Sequence, residues 1–261
     1  MFPIRDENPN ILTPYVTFGI LGINVLVWIF VQGLGAEPAL TASLCRLALI
    51  PGDLLGNLPA GTPVQLGPQT VCMLSGDGSW FTVLSSMFMH GGWMHIIGNM
   101  WFLWIFGNNV EDSMGHVRFA VFYVLCGAAA AAAQIVVDPG SQIPMVGASG
   151  AIGGVMGAYI MLYPRVHVYM LVWLGFFVTT FAMPAIWMLG YWFAVQLISG
   201  VGTLGNTGGG VAFWAHVGGF TAGAALIFVF RDKALLARHP YHGWRQKQHA
   251  DESWHRVDRR R

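Results

Sequence analysis

The chain reads GASGAIGGVMG from Gly147 to Gly157 and AHVGGFTAG from Ala215 to Gly223. Each stretch holds a polar side chain, Ser149 in the first and His216 in the second, inside an apolar, glycine-rich run. A polar group left unpaired in a membrane costs several kcal/mol, so such residues usually have a function. Serine and histidine are the residue types of a nucleophile and its general base. The two stretches therefore predict that two membrane helices bring these side chains together.

Glycine spacing predicts how the two helices pack. Each run carries two glycines four positions apart: Gly153 with Gly157, and Gly219 with Gly223. Such small-xxx-small pairs let membrane helices approach closely. Because each pair begins about one turn after the polar residue of its run, docking of the two faces should bring Ser149 within hydrogen-bond reach of His216.

The composition is that of a membrane protein. Of the 261 residues, 55% are hydrophobic and 10% are charged, whereas a soluble domain carries about 25% charged residues. Nine of the thirteen Lys and Arg residues lie in residues 231–261, so this basic tail is predicted to stay in the cytoplasm. Nucleic-acid binding is not expected, because the tail also carries acidic residues and adjoins a membrane run.

Six apolar runs are predicted to cross the membrane as helices, which gives an all-α bundle. They are residues 15–31, 93–108, 118–137, 149–163, 185–201 and 211–230. The long segment between the first two runs contains turn signals such as Pro51-Gly52, which predict a structured outer loop. Cys45 and Cys72 lie in this loop, and a disulfide between them is left open.

A seventh apolar run, residues 168–184, is predicted not to cross the membrane. If it crossed, Ser149 and His216 would lie near opposite membrane surfaces, about 30 Å apart. We expect the run to lie at the inner interface, or to dip into the membrane without crossing. Both termini are then cytoplasmic, and twelve Lys and Arg residues lie inside against only Arg46 outside, as the positive-inside rule requires.

The chain is therefore divided into three parts. Residues 1–14 are predicted to be a short cytoplasmic N-terminus, residues 15–231 a transmembrane domain, and residues 232–261 a basic cytoplasmic tail. The expected location is integral in a membrane, namely the inner membrane of a bacterial cell.

Further polar groups lie near the start of the second run, which reads HGGWMHIIGN from His90 to Asn99. His95 and Asn99 are four positions apart and share a helix face. An imidazole N–H and a side-chain amide can both donate to an oxyanion, and the backbone N–H of Ser149, at a helix start, would be a third donor. His90 is expected to brace the long loop instead.

The acidic residues argue against other catalytic arrangements. All twelve Asp and Glu residues fall outside the six predicted runs, and the chain has no His-Glu-x-x-His zinc motif. An intramembrane aspartyl pair is therefore not expected, and a Ser-His-Asp triad lacks its acid. What remains is a dyad in which His216 acts as base to Ser149 and then as acid to the leaving amine, without metal or cofactor.

These residues resemble the rhomboid family of intramembrane serine proteases. The resemblance extends from about residue 15 to residue 231 and rests on three motifs: His90-(x)4-His95-(x)3-Asn99, Gly147-x-Ser149-Gly150 and Ala215-His216-x-x-Gly219-x-x-x-Gly223. It implies a six-helix core, a hydrated cavity that opens outward, and a gate near the fifth run, where Trp192 and Phe193 lie. The loop 202–210 would be a lid over the cavity.

The same resemblance implies roles for individual residues. Ser149 would be the nucleophile, His216 the base, and His95 and Asn99 the oxyanion donors. Glu111, at the inner end of the second run, would be structural. Support near the site is expected from His90, Gly147, Gly150, Gly153, Gly219 and Gly223.

The chain also departs from the family pattern. Many members carry an aromatic residue four positions after the serine, where it stacks on the catalytic histidine, but this chain has Gly153 there. His216 must then be held by Trp214 or by a residue of the fifth run. The Trp-Arg pair that is frequent in the first long loop reads Trp80-Phe81 here, so that loop needs another anchor.

The predicted activity is cleavage of transmembrane segments of other membrane proteins within the lipid bilayer. A helix hides its carbonyl groups in hydrogen bonds, so substrates weakened by Gly or Pro are expected to be preferred. Two alternatives are a catalytically silent member that binds membrane clients and a haem or metal carrier that uses His95 and His216. The physiological substrate and the oligomeric state are left open.

Overall fold

The computed structural model describes residues 2–67, 70–76, 78–203 and 211–242. The α-helices of this part of the chain are α1 (Tyr15–Phe30), α2 (Ala39–Leu47), α3 (Pro51–Leu54), α4 (Phe81–Ser85), α5 (Trp93–Met114), α6 (His116–Val137), α7 (Ser149–Leu162), α8 (Ala185–Gly202), α9 (Phe213–Phe230) and α10 (Lys233–Arg238). The strands are β1 (Phe2–Asp6), β2 (Pro63–Gly67), β3 (Thr70–Met73), β4 (His167–Leu174) and β5 (Phe177–Pro184).

Each of the six predicted runs contains one long helix: α1, α5, α6, α7, α8 or α9. Among the described residues, α6, α8 and α9 are long and apolar enough to cross a membrane, and α1 and α7 are apolar but shorter. Helix α5 continues to Met114, beyond the predicted end of its run. It therefore includes Glu111 and Asp112, which the sequence analysis had left outside the runs.

Helix α7 lies at the centre of the bundle, where it packs against α5, α6, α8 and α9. Its closest neighbour is α9, and the two backbones touch. A Cβ atom at Gly219 would overlap the carbonyl oxygen of Gly150, and one at Gly223 would overlap that of Gly154. Glycine is required at both positions of α9, because any side chain would push the helices apart.

The predicted docking of the glycine faces of α7 and α9 is present, with a different pairing of glycines. Cβ atoms at Gly153 and Gly157 would meet the backbone of α9, at the carbonyl groups of His216 and Phe220. Gly219 and Gly223 of α9, however, lie against Gly150 and Gly154. Because α7 is glycine-rich, spacing alone did not show which of its glycines meet those of α9.

Residues 168–184 form a β-hairpin, so the fold is mostly helical and not all-α as predicted. Strands β4 and β5 are antiparallel, with His167 opposite Pro184 and Leu174 opposite Phe177. Since the two ends of a hairpin are neighbours, the end of α7 and the start of α8 lie close together, as the sequence argument against a seventh crossing requires. Strand β1 pairs with the other edge of β4, so residues 2–6 belong to the folded body.

Two carboxylates near the C-terminal end of α5 bind the chain segment that leads into α1. Asp112 accepts hydrogen bonds from the backbone N–H groups of residues 11–12. Glu111 accepts from the backbone N–H groups of Val16 and Thr17 and from the Thr17 hydroxyl. The Glu111 bonds cap the first turn of α1 and agree with the structural role that the family resemblance implied.

The segment between α1 and α5 is structured and is tied to the chain just before α7. It contains α2, α3, α4, the β2–β3 hairpin and a disulfide between Cys45 and Cys72. Leu49 and Met145 exchange two backbone hydrogen bonds, and Ser86 accepts one from the N–H of Gly147. These contacts anchor the segment in the absence of the arginine that would follow Trp80, and they fix the turn that leads into Ser149.

Candidate active site

Ser149 and His216 meet at the interface of α7 and α9. Ser149 is the first residue of α7, and His216 lies in the first turn of α9. The Ser149 Oγ atom is 2.7 Å from Nε2 of His216. The expected proximity of these two side chains is therefore present, and it follows from the backbone contact between α7 and α9.

The other ring nitrogen of His216 has its own partner. Its Nδ1 atom is 2.7 Å from Oε1 of Gln196, a buried residue of α8. The ring of Trp192, one turn earlier on α8, lies 5.7 Å from the His216 ring, centroid to centroid. Of the two supports considered from the sequence, the fifth run is thus the one observed, while Trp214 donates to the Gly200 carbonyl group instead.

Gly153 explains why an aromatic side chain can reach His216 from α8. A Cβ atom at Gly153 would lie 3.2 Å from the His216 carbonyl oxygen and 3.8 Å from the Trp192 ring. A Cβ atom alone would only contact Trp192, so it is the lack of a larger side chain at this position that leaves room for Trp192 beside the histidine. The aromatic contact is therefore made from α8, where the sequence had suggested a gate.

A glycine turn positions two further polar groups beside Ser149. Gly147 has a φ of +117°, a conformation that L-residues rarely adopt, and a Cβ atom there would lie 2.6 Å from Nε2 of His95 and 3.4 Å from Nδ2 of Asn99. His95 Nδ1 accepts a hydrogen bond from the N–H of Gly91, so its proton is on Nε2. Two potential donors thus face the turn before the serine.

Asn99 is buried, and its Nδ2 atom has no hydrogen-bond partner among the described residues. A buried donor of this kind costs free energy unless something occupies the adjacent space. This donor faces the turn at Gly147, two residues before Ser149.

His90 supports this region through its main chain. The Gln32 side chain donates to the His90 carbonyl oxygen at 2.7 Å and accepts from the His90 N–H at 2.9 Å. The His90 ring is buried edge-on to that of His95, with 5.2 Å between centroids. The bracing role expected of His90 is thus one of joining the end of α1 to the start of α5.

A cavity of about 420 Å³ opens onto the paired side chains. Its lining includes Ala130, Met145, Gly147, Ser149, His95 and His216. Within the described part of the chain, no three His, Cys, Asp or Glu side chains are grouped closely enough to hold a metal ion. The expected lid falls largely on residues 204–210 and most of the basic tail on residues 243–261, both outside the described residues.

A comparison with protein families identifies the fold. The Rhomboid domain model matches residues 77–233, which is more than half of the chain. The chain belongs to the rhomboid family. The match includes His90, His95, Asn99, Ser149 and His216, so the whole site described above lies within the rhomboid domain.

Relatives of this rhomboid chain occur in bacteria and plants. It is 31% identical over 171 residues to Rhomboid protease GluP of Bacillus subtilis (strain 168), covering 66% of this chain and 31% of the relative. It is 28% identical over 162 residues to Putative rhomboid protease YdcA of the same organism, covering 61% and 69%. It is 29% identical over 120 residues to RHOMBOID-like protein 5 of Arabidopsis thaliana, covering 41% and 39%.

This rhomboid chain spans less than half the length of GluP and of RHOMBOID-like protein 5. The family and the three long apolar helices make it an integral membrane protein. Its chemistry must be argued from its own residues.

Proposed function

We propose that this rhomboid is an intramembrane serine endopeptidase that cleaves transmembrane segments of other membrane proteins. The observation that carries the proposal is the 2.7 Å contact between Ser149 Oγ and His216 Nε2, made by two helices inside an apolar bundle. A hydroxyl and an imidazole at this distance form an activated nucleophile. The protease names of the relatives GluP and YdcA agree with it.

The proposed reaction follows from the surrounding groups. His216 Nε2 takes the proton of Ser149 as Oγ attacks a peptide carbonyl carbon of the substrate. The oxyanion that forms accepts hydrogen bonds from His95 Nε2–H, from Asn99 and from the backbone N–H of Ser149, which has no partner within its helix. His216 then protonates the leaving amine, and a water molecule, activated by the same imidazole, hydrolyses the acyl-enzyme.

The proposed membrane arrangement has six crossings and both termini in the cytoplasm of a bacterial cell. Because α7 has 14 residues, about 21 Å of helix, it is shorter than the hydrocarbon core of about 30 Å. If its C-terminal end reaches the inner surface, Ser149 lies below the outer surface. The cavity beside Ser149 would then admit water to a recessed site.

The test is incubation of the purified protein, in detergent and in liposomes, with a panel of single-span membrane proteins. We expect cleavage by the wild type and none by Ser149→Ala or His216→Ala. A fluorophosphonate probe should label the wild type covalently and leave Ser149→Ala unlabelled.

The silent-binder alternative makes the opposite prediction. In that case clients bind, and neither cleavage nor Ser149-dependent labelling is seen with the wild type. That result would remove the proposed activity and keep the family assignment.

A further inference from the structure

We propose that Gln196 is a positioning residue that sets the protonation pattern of His216. It does so by accepting the Nδ1 proton, which leaves Nε2 as the base for Ser149. The inference rests on the proposed protease function and deepens it. It turns the Ser-His pair into a three-residue chain, Ser149–His216–Gln196, that crosses from α7 through α9 to α8.

The argument begins with the two contacts of the imidazole. A neutral imidazole carries one proton, and its two nitrogens therefore differ, one being a donor and the other an acceptor. Nε2 is 2.7 Å from the Ser149 hydroxyl, which can either donate or accept. Nδ1 is 2.7 Å from the carbonyl oxygen of Gln196, which can only accept. Only the form with the proton on Nδ1 satisfies both contacts.

This form is the one that the reaction needs. With the proton on Nδ1, the Nε2 lone pair faces the Ser149 hydroxyl and can receive its proton. With the proton on Nε2, the ring would donate to Ser149 Oγ, and two lone pairs would oppose each other at Gln196. The amide of Gln196 therefore does for His216 what the aspartate of a Ser-His-Asp triad does for tautomer and orientation.

A neutral acceptor suits this location better than a carboxylate. Gln196 is 8% exposed and lies on α8, one of the helices apolar enough to span a membrane. An ionised side chain there would lose its hydration, at a cost of several kcal/mol that is offset only when the imidazolium of His216 pairs with it. An amide oxygen is less costly to bury, and when His216 becomes an imidazolium the same oxygen still accepts from Nδ1–H.

The contact is distinct from the packing of the same ring. Trp192 lies beside the His216 ring with the planes inclined at 38°, whereas Gln196 meets the Nδ1 edge. The two residues are four apart and so share one face of α8. One restrains the ring by contact and the other by a directional hydrogen bond, so their loss should have different signatures.

The experiment compares Gln196→Leu, which removes the acceptor at similar volume, with Gln196→Glu, which keeps an acceptor of the same shape. Gln134→Leu is the matched control, since it removes an amide from membrane helix α6 at a position away from the cavity lining. The measurements are the rate of fluorophosphonate labelling of Ser149 as a function of pH, kcat and KM for a cleaved single-span substrate, and thermal unfolding in detergent.

We expect Gln196→Leu to lower kcat and the labelling rate about 10- to 100-fold with little change in KM, because it removes one buried hydrogen bond to the base. Gln196→Glu should keep most activity at high pH. The acid limb of its profile of labelling rate against pH should move to higher pH by about one to two pH units. The reason is that a carboxylate stabilises the imidazolium of His216, so the neutral imidazole that acts as base forms only at higher pH. Gln134→Leu should match the wild type.

Wild-type labelling and kcat in Gln196→Leu, or an unmoved acid limb in Gln196→Glu, would overturn the inference and leave the protease proposal intact. If the wild type itself shows no Ser149-dependent labelling, it is the proposed function that fails. Should Gln196→Leu not fold, the pH profile of the isosteric Gln196→Glu still decides.

Discussion

At the scale of single residues, the polar side chains of Ser149, His216 and His95 each have at least one hydrogen-bond partner. Asn99 is the exception, because its buried Nδ2 has no partner in the described part of the chain. That donor lies 3.4 Å from where a side chain at Gly147 would begin. An unsatisfied donor next to a nucleophile is suited to bind charge that appears only during the reaction.

We therefore expect Asn99→Ala to lower kcat by about 100- to 1000-fold with a small effect on KM, since one oxyanion donor is lost. The measurement is steady-state cleavage of a single-span substrate. Asn24→Ala is the control, as it removes a buried asparagine whose amide, among the described residues, donates to the Ile20 carbonyl group within α1. Equal losses in the two variants would show that Asn99 has a structural role alone.

Trp192 gives a second prediction at this scale. Replacing it with alanine removes the aromatic contact with His216 and should lower kcat about tenfold, because the ring gains freedom to leave its reactive orientation. Trp187→Ala, on the same helix but 68% exposed, should leave kcat unchanged. A gate role for Trp192 would instead speed substrate entry in Trp192→Ala and raise the cleavage rate.

The sequence could predict that Ser149 and His216 lie together because each is a polar residue with glycines at fixed spacing in an apolar run. His95 and Asn99 followed from their shared helix face. Gln196 was missed, since a single amide in α8 has no pattern around it. Its only signals were its polarity within an apolar helix and its position one turn after Trp192.

At the scale of secondary-structure elements, the contact between α7 and α9 determines whether the site exists. Gly223→Ala should destabilise the protein by about 1–3 kcal/mol or more and abolish labelling of Ser149, because its Cβ would overlap the Gly154 carbonyl group. The check is thermal unfolding together with fluorophosphonate labelling. Gly22→Ala, on α1 with open space around its Cβ, should be tolerated. Normal labelling in Gly223→Ala would mean that the two helices can separate without losing the dyad.

The sheet formed by β1, β4 and β5 was not predicted from the sequence. Residues 168–184 are mostly apolar, and an apolar run does not by itself distinguish a strand from a membrane helix. The signals were there in its β-branched and aromatic residues and in Gly175, whose φ of +64° makes the turn. Strand β1 was missed because five residues at the start of a polar segment have too little periodicity to predict pairing.

At the scale of the whole molecule, the central question is how many times the chain crosses the membrane. The β4–β5 hairpin brings His167 opposite Pro184, so the end of α7 and the start of α8 lie on the same side of the bundle. With six crossings, five of them lie between Ala36 and Lys233. Because five is odd, these two positions face opposite compartments, whereas a seventh crossing would place both in the same compartment. The hairpin thus supports the sequence argument against a seventh crossing, which relied on Ser149 and His216 lying near the same membrane surface.

A cysteine-accessibility experiment tests this arrangement. A membrane-impermeant maleimide should label Ala36→Cys in spheroplasts, and Lys233→Cys only after the membrane is permeabilised. Both positions are exposed. The native cysteines do not interfere, since Cys45 and Cys72 are paired and Cys126 is buried. Labelling of both variants in intact spheroplasts would contradict six crossings with cytoplasmic termini.

The pairing of β1 with β4 has a consequence for biosynthesis. Phe2 is opposite Leu171, so the strand that residues 2–6 require leaves the ribosome only after α6 and α7 have been made. Until then the nascent chain carries an unpaired strand edge, which is exposed to pairing with other chains. Completion of the three-stranded sheet must therefore be a late step, taken after the central helices have been synthesised.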